Sequence, residues 1–337
     1  MCKYPSPFFS VVMIAAKKVL IVYAHESPAS FNAAAKDAAV AALTAQGCTV
    51  EVSDLYAMKF KAAATTEDIT AKKVLIVYAH ESPASFNAAA KDAAVAALTA
   101  QGCTVEVSDL YAMKFKAAAT TEDFIGGVKT AEDCYAGQIK LAWEEGVIAD
   151  CIKKEQEKLK EADLVIFQFP MYWSSVPAIM KGWMDRVLGF AYAQEKRYSE
   201  GIFKDKKAML SFTTDCPESV YSDTGINGDI NVTLWPLQNG ILNYCGFQVF
   251  APQIFWDPAA GSPESRSSML ECWRTRLQNL CGEATVYFAP LDYFDKEKGF
   301  LLKPEVKEKY ASKESGLTVG IHMGKPLPAN SQTKAGV

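Results

Sequence analysis

Six consecutive residues, Leu164–Phe169 (LVIFQF), restrict the folds open to this chain more than any other stretch. A strand with one wet face alternates apolar and polar residues. A near-continuous apolar run belongs instead to a strand covered on both faces, in the middle of a parallel sheet. Pro170 has no N–H to give to a sheet ladder and closes the run. From Pro177 the spacing of Ile179, Trp183, Met184, Val187 and Leu188 is helical, with the proline in the first turn, where it is tolerated. Between strand and helix, Met171, Tyr172, Trp173 and Ser174 each carry a backbone N–H, and two are aromatic. A loop at the carboxyl end of a parallel strand is where open α/β sheets bind ligands. Donors beside aromatic faces suit a flat, polar-edged ring, although core packing accounts for Tyr172 and Trp173 equally well.

A second strand–helix unit lies upstream. Val74–His80 (VLIVYAH) has the composition of a buried strand, and Ser85 can cap the helix that follows, Phe86 to about Gln101. That helix is rich in alanine and stops at Gly102. Thr104–Tyr111 alternates and forms a further strand, so the whole is a right-handed parallel crossover. His80 and the helix N-terminus after it would suit a phosphate. There is no glycine-rich dinucleotide fingerprint, and a lone histidine at a strand end also serves as a structural hydrogen-bonding group. The unit occurs twice: Ala16–Asp68 and Ala71–Asp123 are identical, at an offset of 55 residues. Repeats packed against different neighbours diverge, so identity marks either a very recent duplication or a flaw in how the sequence was assembled. A doubly wound sheet has one slot for this unit. The second copy, which runs directly into Thr121–Glu161, is the one expected to fill it.

Downstream, Thr121–Glu161 is polar and helical in its second half, with Lys153–Glu161 resembling a solvated charged face. Gly189–Lys207 is irregular. Lys207–Thr214 is a strand ending in hydroxyls, followed by a long loop, Asp215–Asp229, of the kind that often binds ligands. A helix is expected over Val232–Tyr244 with Pro236 in its first turn, then a strand over Gln248–Phe255. Ser262, Pro263 and Gly282 bracket a helix with Met269, Leu270, Trp273, Leu277 and Leu280 on one face. The chain from Glu283 onward reads as an irregular extension. Strands alternating with helices predict a doubly wound parallel sheet.

Composition excludes several classes. A net charge of -4 over 337 residues gives no reason to expect nucleic acid or an anionic membrane as a partner. The nine cysteines are scattered without a CxxC pair, which fits reduced thiols in a cytoplasmic protein. The three histidines lie apart, and no carboxylate–histidine spacing marks a metal site. The apolar run near Phe8–Ala16 is too short to span a bilayer.

Longer ordered motifs now come together: SFN at Ser85–Asn87, SDLYAM at Ser108–Met113, Glu161–Trp173 (EADLVIFQFPMYW) and Val176–Val187 (VPAIMKGWMDRV). To these add SFTT at Ser211–Thr214 with Tyr221, Gly228–Leu242 (GDINVTLWPLQNGIL) and Cys245–Ile254 (CGFQVFAPQI). On these residues Lys72 to about Lys325 resembles the NAD(P)H:quinone oxidoreductase (DT-diaphorase) family. The early segments are closer to its branch using dihydronicotinamide riboside. The extension to Gly320–Pro328 resembles the longer NAD(P)H-using branch.

The resemblance implies a flavodoxin-like FAD enzyme, homodimeric, that passes hydride from NAD(P)H to the flavin and then to a quinone. It implies a catalytic domain over residues 71–282, an extra segment 1–70 holding the duplicate, and a C-terminal extension 283–337. It places His80, Ser85, Phe86 and Asn87 at the FAD pyrophosphate and ribityl side, and Met171, Tyr172, Trp173 and Ser174 along the isoalloxazine. Thr213, Thr214, Asp215 and Cys216 would wrap the pyrimidine end, with the backbone N–H groups of Thr214–Cys216 and Tyr221 facing the charge of the reduced ring. Arg266 and Leu270 would reach the adenosine. Tyr221 and Asn227 occupy the catalytic positions. Ala191, Tyr192, Ala193 and Tyr244 match the substrate pocket, the two tyrosines reaching over the flavin across a dimer interface.

This chain departs from the family at several of these positions. Asp215-Cys216 replaces a Gly-Gly pair, and Asn227 replaces a histidine, as in the riboside-using branch. Ser174 replaces a bulky aromatic, Ala260 a histidine and Gln194 a tyrosine. The small residues predict a roomier pocket. Asparagine donates a hydrogen bond but takes up no proton, so the alternative is an FAD-binding protein with weak turnover that acts through partners.

Overall fold

The computed structural model describes residues 18–23, 31–54, 73–127, 135–194, 196–222 and 224–310. The run Phe8–Ala16, His25, His322 and the segment Gly320–Pro328 lie outside the described residues. The chain divides into two compact units, residues 1–65 and 66–337. In the first, strand β1 (Lys18–Tyr23), helix α1 (Phe31–Ala45) and strand β2 (Thr49–Asp54) form one crossover. Its strands pair in parallel, from Lys18 opposite Thr49 to Tyr23 opposite Asp54.

In the second unit the same residues of the second copy form β3 (Lys73–Tyr78), α2 (Phe86–Ala100) and β4 (Thr104–Asp109). There follow α3 (Tyr135–Glu145), α4 (Asp150–Glu161), β5 (Leu164–Pro170), α5 (Ala178–Val187) and β6 (Lys207–Thr213). Next come α6 (Ile230–Leu237), β7 (Gln248–Val249), β8 (Gln253–Phe255) and α7 (Pro263–Asn279). The sheet order is β4-β3-β5-β6-β7, with β8 also on β6, and every pairing is parallel. All of β5 is buried because it lies between two cores. Val165, Phe167 and Phe169 meet α4 and α5 on one face, while Leu164 and Ile166 meet α2 and α7 on the other. Helix α5 runs against the loop around Ala117 so closely that a Cβ at Gly182 would fall 2.0 Å from the Ala117 carbonyl oxygen.

Several expectations need correcting. Helix α4 is not a solvated face throughout, since Ile152, Glu155, Gln156 and Leu159 are buried. Glu155 is tolerated there because Trp183 Nε1 donates to its Oε2 at 2.8 Å and the Lys158 ammonium stands 2.7 Å from Oε1. The segment after α5 is irregular but not peripheral: Phe190, Ala191 and Phe203 are core residues. Helix α6 begins two residues earlier than expected, capped by Asp229, whose Oδ1 accepts the Asn231 N–H at 2.9 Å. Pro236 therefore lies inside it, not in its first turn. Lacking an N–H, Pro236 gives nothing to the carbonyl four residues back. The helix ends one residue later and the chain continues as a π turn, Gln238–Asn243. The strand expected over Gln248–Phe255 is two short ones, broken after Phe250, whose N–H still goes to the Ala208 carbonyl at 2.8 Å.

One buried ion pair ties the connection before α3 to α5. Arg186 donates from Nε to Asp123 Oδ2 at 2.9 Å and from Nη2 to Oδ1 at 2.6 Å. Tyr135 donates to Oδ2 at 2.7 Å, and Arg186 Nη1 reaches the Lys116 carbonyl at 2.6 Å. Beyond α7 a two-strand antiparallel hairpin, β9 (Phe294–Asp295) and β10 (Leu301–Leu302), leads to α8 (Pro304–Tyr310). No helix among the described residues is long and apolar enough to cross a membrane.

Candidate active site

The carboxyl ends of β3, β5 and β6 open onto one cavity of about 450 Å³. After β3, His80 Nδ1 accepts the Ser82 N–H at 2.9 Å. The acceptor role of Nδ1 leaves the imidazole proton on Nε2. Ser85 caps α2, its Oγ taking the Ala88 N–H at 3.1 Å. The first-turn N–H groups of Phe86 and Asn87 find no protein acceptor among the described residues, and both residues line the cavity. Free donors at a helix N-terminus favour an anion.

After β5, Pro170, Met171 and Tyr172 form a wall. The Met171 N–H goes to the Thr213 carbonyl at 2.9 Å, and Tyr172 and Ser175 exchange N–H···O bonds at 3.0 Å each. Of the four backbone donors expected in this loop, those of Trp173 and Ser174 find no acceptor among the described residues. These two residues have φ of 48° and 60°. The turn is therefore of the I′ type that normally carries Asn-Gly. Trp173 is fully exposed, Ser174 and Ala260 are exposed, and none of the three lines the cavity.

After β6, Thr213, Thr214 and Asp215 complete the wall. The Thr214 N–H is taken by the Phe255 carbonyl at 3.1 Å, whereas those of Asp215 and Cys216 find no acceptor among the described residues. The Cys216 thiol donates to Asp215 Oδ1 at 3.4 Å, and this bond, more than burial, holds the thiol above its ordinary range. Tyr221 is buried just behind, donating to Met171 Sδ at 3.7 Å. Burial raises its phenol above the ordinary range, Cys216 and Asp215 add to this, and the Asn227 side chain opposes it.

The fourth side follows β8. Pro258 and Ala259 line it together with Arg266, whose Nη1 donates to the Gly261 carbonyl at 2.6 Å. Leu270, one turn further on, packs into the core around Trp273 and does not reach the cavity. Ala191 is buried, and the side chains of Tyr192 and Ala193 lie outside the described ones. Tyr244 is half-buried under the Arg197 guanidinium, 5.3 Å from its ring. Pro170, Pro258 and Ala259 were missed from the sequence. The last two lie just beyond the strand end at Phe255, which the sequence located without marking the residues after it as cavity lining.

The described donors suit a flavin nucleotide: two helix N–H groups, Arg266 and the His80 Nε2–H on one side, and a flat thioether–phenol wall on the other. A family model described as the flavodoxin-like fold matches the chain twice, over residues 17–71 and 72–277. Rat NAD(P)H dehydrogenase [quinone] 1 is 48% identical over 269 residues, spanning 78% of this chain and 98% of its own. The chain belongs to this quinone dehydrogenase family. Another member, human ribosyldihydronicotinamide dehydrogenase [quinone], is 50% identical over 218 residues, or 64% of this chain and 94% of its own. Among solved structures, the NAD(P)H:quinone oxidoreductase from Methanothermobacter marburgensis superposes with a TM-score of 0.50 at 26% identity. It covers 63% of this chain and all of its own. Family membership accounts for the parallel sheet and for the position of the cavity.

Proposed function

We propose that this chain binds FAD in the cavity at the ends of β3, β5 and β6 and reduces quinones with NAD(P)H, the two substrates reacting in turn. One observation carries this: a single cavity joins uncommitted helix N–H groups and Arg266, suited to a diphosphate, to the flat Met171–Tyr172 wall, suited to a ring. The relatives bearing quinone dehydrogenase names support it. A flavin held there would supply the hydride chemistry between nicotinamide and quinone. The protein's part is to hold and orient. His80 Nε2–H and the N–H groups of Phe86 and Asn87 bind phosphate oxygens. Asp215 and Cys216 offer N–H groups at the ring's polar edge. The Tyr221 hydroxyl, which donates to Met171 Sδ, would turn from it to donate at that edge, with Asn227 beside it as a second donor. Residues 71–282 form the catalytic domain in this reading, with 1–70 and 283–337 as additions. Ala191, Tyr192, Ala193 and Tyr244 wall the quinone side in a homodimer. The seven described cysteines, all free, support a cytoplasmic location.

Releasing the flavin from purified protein and separating it chromatographically should yield FAD. Initial rates at several quinone concentrations should give parallel double-reciprocal lines against NAD(P)H. FMN, or no flavin, would overturn the cofactor assignment, and intersecting lines the alternating order. Asp215, Cys216 and Asn227 favour a second reading, a flavin-binding protein with weak turnover. NAD(P)H oxidation that quinone does not accelerate would decide for it.

A further inference from the structure

Between the sheet and α2 runs a chain of buried polar side chains, closed at one end and open to the cavity at the other. Ser211 and Gln168 are register partners on β6 and β5, and Ser211 Oγ donates to Gln168 Oε1 at 2.7 Å. Gln168 Nε2 donates to Asn87 Oδ1 at 2.9 Å, and Asn87 Nδ2 donates to Thr213 Oγ1 at 2.9 Å. All four residues are buried; Ser211 is 0% exposed and Gln168 1%. Asn87 and Thr213 line the cavity, whereas Ser211 and Gln168 do not.

Such a chain could run in either sense, because hydroxyls and amides both donate and accept. Its two ends differ, however. Reversed, it would leave the Ser211 O–H without its acceptor in a fully buried site, at the cost of an unmade hydrogen bond. In the sense described, the spare proton lies at the other end, on Thr213, where the cavity offers water or ligand to accept it. The closed end therefore selects the direction.

We propose that Ser211 and Gln168 are positioning residues that, through Asn87, commit the Thr213 hydroxyl to donate into the cavity. The wall then accepts a ring atom bearing a lone pair, a carbonyl oxygen or an unprotonated ring nitrogen, and disfavours an N–H at that place. This rests on the cavity being the flavin site, but the direction of the chain does not.

Two measurements test it. Neutron diffraction from deuterium-exchanged crystals should find the Thr213 Oγ1 deuteron turned away from Asn87, toward the cavity. A deuteron lying between Thr213 Oγ1 and Asn87 Oδ1 would overturn the proposal whatever the protein binds. The second is FAD titration of apoprotein in a double-mutant cycle. Ser211→Ala, which leaves the cavity lining intact, should weaken FAD binding by roughly two- to tenfold, the worth of one neutral hydrogen bond. The same substitution in a Thr213→Val background should change affinity little, because the hydroxyl it orients is gone. An equal loss in both backgrounds would mean that Ser211 acts only through general packing, and would overturn the proposal. Gln168→Leu, made in the same two backgrounds, guards against a Ser211 variant that folds poorly. If wild-type apoprotein takes up no FAD while the deuteron faces the cavity, the flavin reading fails and the directed chain stands.

Discussion

Asp215 puts a carboxylate on the wall of a cavity that would receive an electron-rich reduced ring, with the Cys216 thiol as its hydrogen-bond donor. A negative charge there opposes reduction, although the exposure of the side chain weakens the effect. Asp215→Gly should raise the midpoint potential of the bound flavin by tens of millivolts, where ~30 mV corresponds to about 1.4 kcal/mol for two electrons. Spectroelectrochemical titration with the flavin bound reads this directly, and an unchanged potential would show that the carboxylate does not sense the ring. Ser174 holds a left-handed φ of 60°, a conformation costing of order 1–3 kcal/mol outside glycine. Ser174→Gly should therefore stabilise the fold by about 1 kcal/mol, visible as a higher Tm. At this scale the sequence marked the right strand ends, because an apolar run followed by a break shows where a strand stops. It could not show which backbone donors stay free. The Met171 and Thr214 N–H groups are taken by the carbonyls of Thr213 and Phe255, about forty residues away along the chain, and no local pattern encodes that.

Among the elements, the bond between Asp123 and Arg186 joins the connection before α3 to the helix following the cavity wall. Burial alone would raise the Asp123 pKa, but hydrogen bonds from Arg186 and Tyr135 more than offset it and hold the carboxyl below its ordinary value of 3.8. A depressed carboxyl stabilises the fold fully above that ordinary value, and the contribution is lost as the pH falls through the lower, folded one. Acid unfolding followed by circular dichroism should accordingly set in below about pH 4. Asp123→Asn should flatten stability across that window while lowering it at neutral pH. Arg186→Met, which strands a buried carboxylate, should cost about 3–5 kcal/mol in chemical denaturation. Combining it with Asp123→Leu should recover part of the loss. Strands β3 to β6 and helices α2, α5 and α7 were legible from apolar runs and spacing, whereas the hairpin β9–β10 and helix α8 lie in the stretch read as irregular. Glu155 was not legible, because its burial depends on Trp183 and Lys158 neutralising a group that by composition belongs in water. The start of α6 at Ile230 was not read either, because Pro236, expected in a first turn, pointed to a later start.

For the molecule as a whole, the second copy supplies β3, α2 and β4 to the sheet, together with His80, Ser85, Phe86 and Asn87 to the cavity. Deleting Met1–Thr70 behind a new initiator should leave flavin content and Tm unchanged, and loss of both would show that the cavity depends on the first unit. The two crossovers also share one pairing register, Lys18 with Thr49 and Lys73 with Thr104. That register is therefore written within the repeat itself and not imposed by β5. Their surroundings nonetheless differ: β3 is paired on both edges, whereas β1, among the described residues, pairs with β2 alone. A protease cutting after lysine releases the same peptide, VLIVYAHESPASFNAAAK, from either copy. In hydrogen–deuterium exchange that one mass should split into two isotope envelopes of equal area, one slow and one fast. A single peptide would thus report two local stabilities for one sequence, and the gap between the envelopes would measure what a second strand neighbour adds.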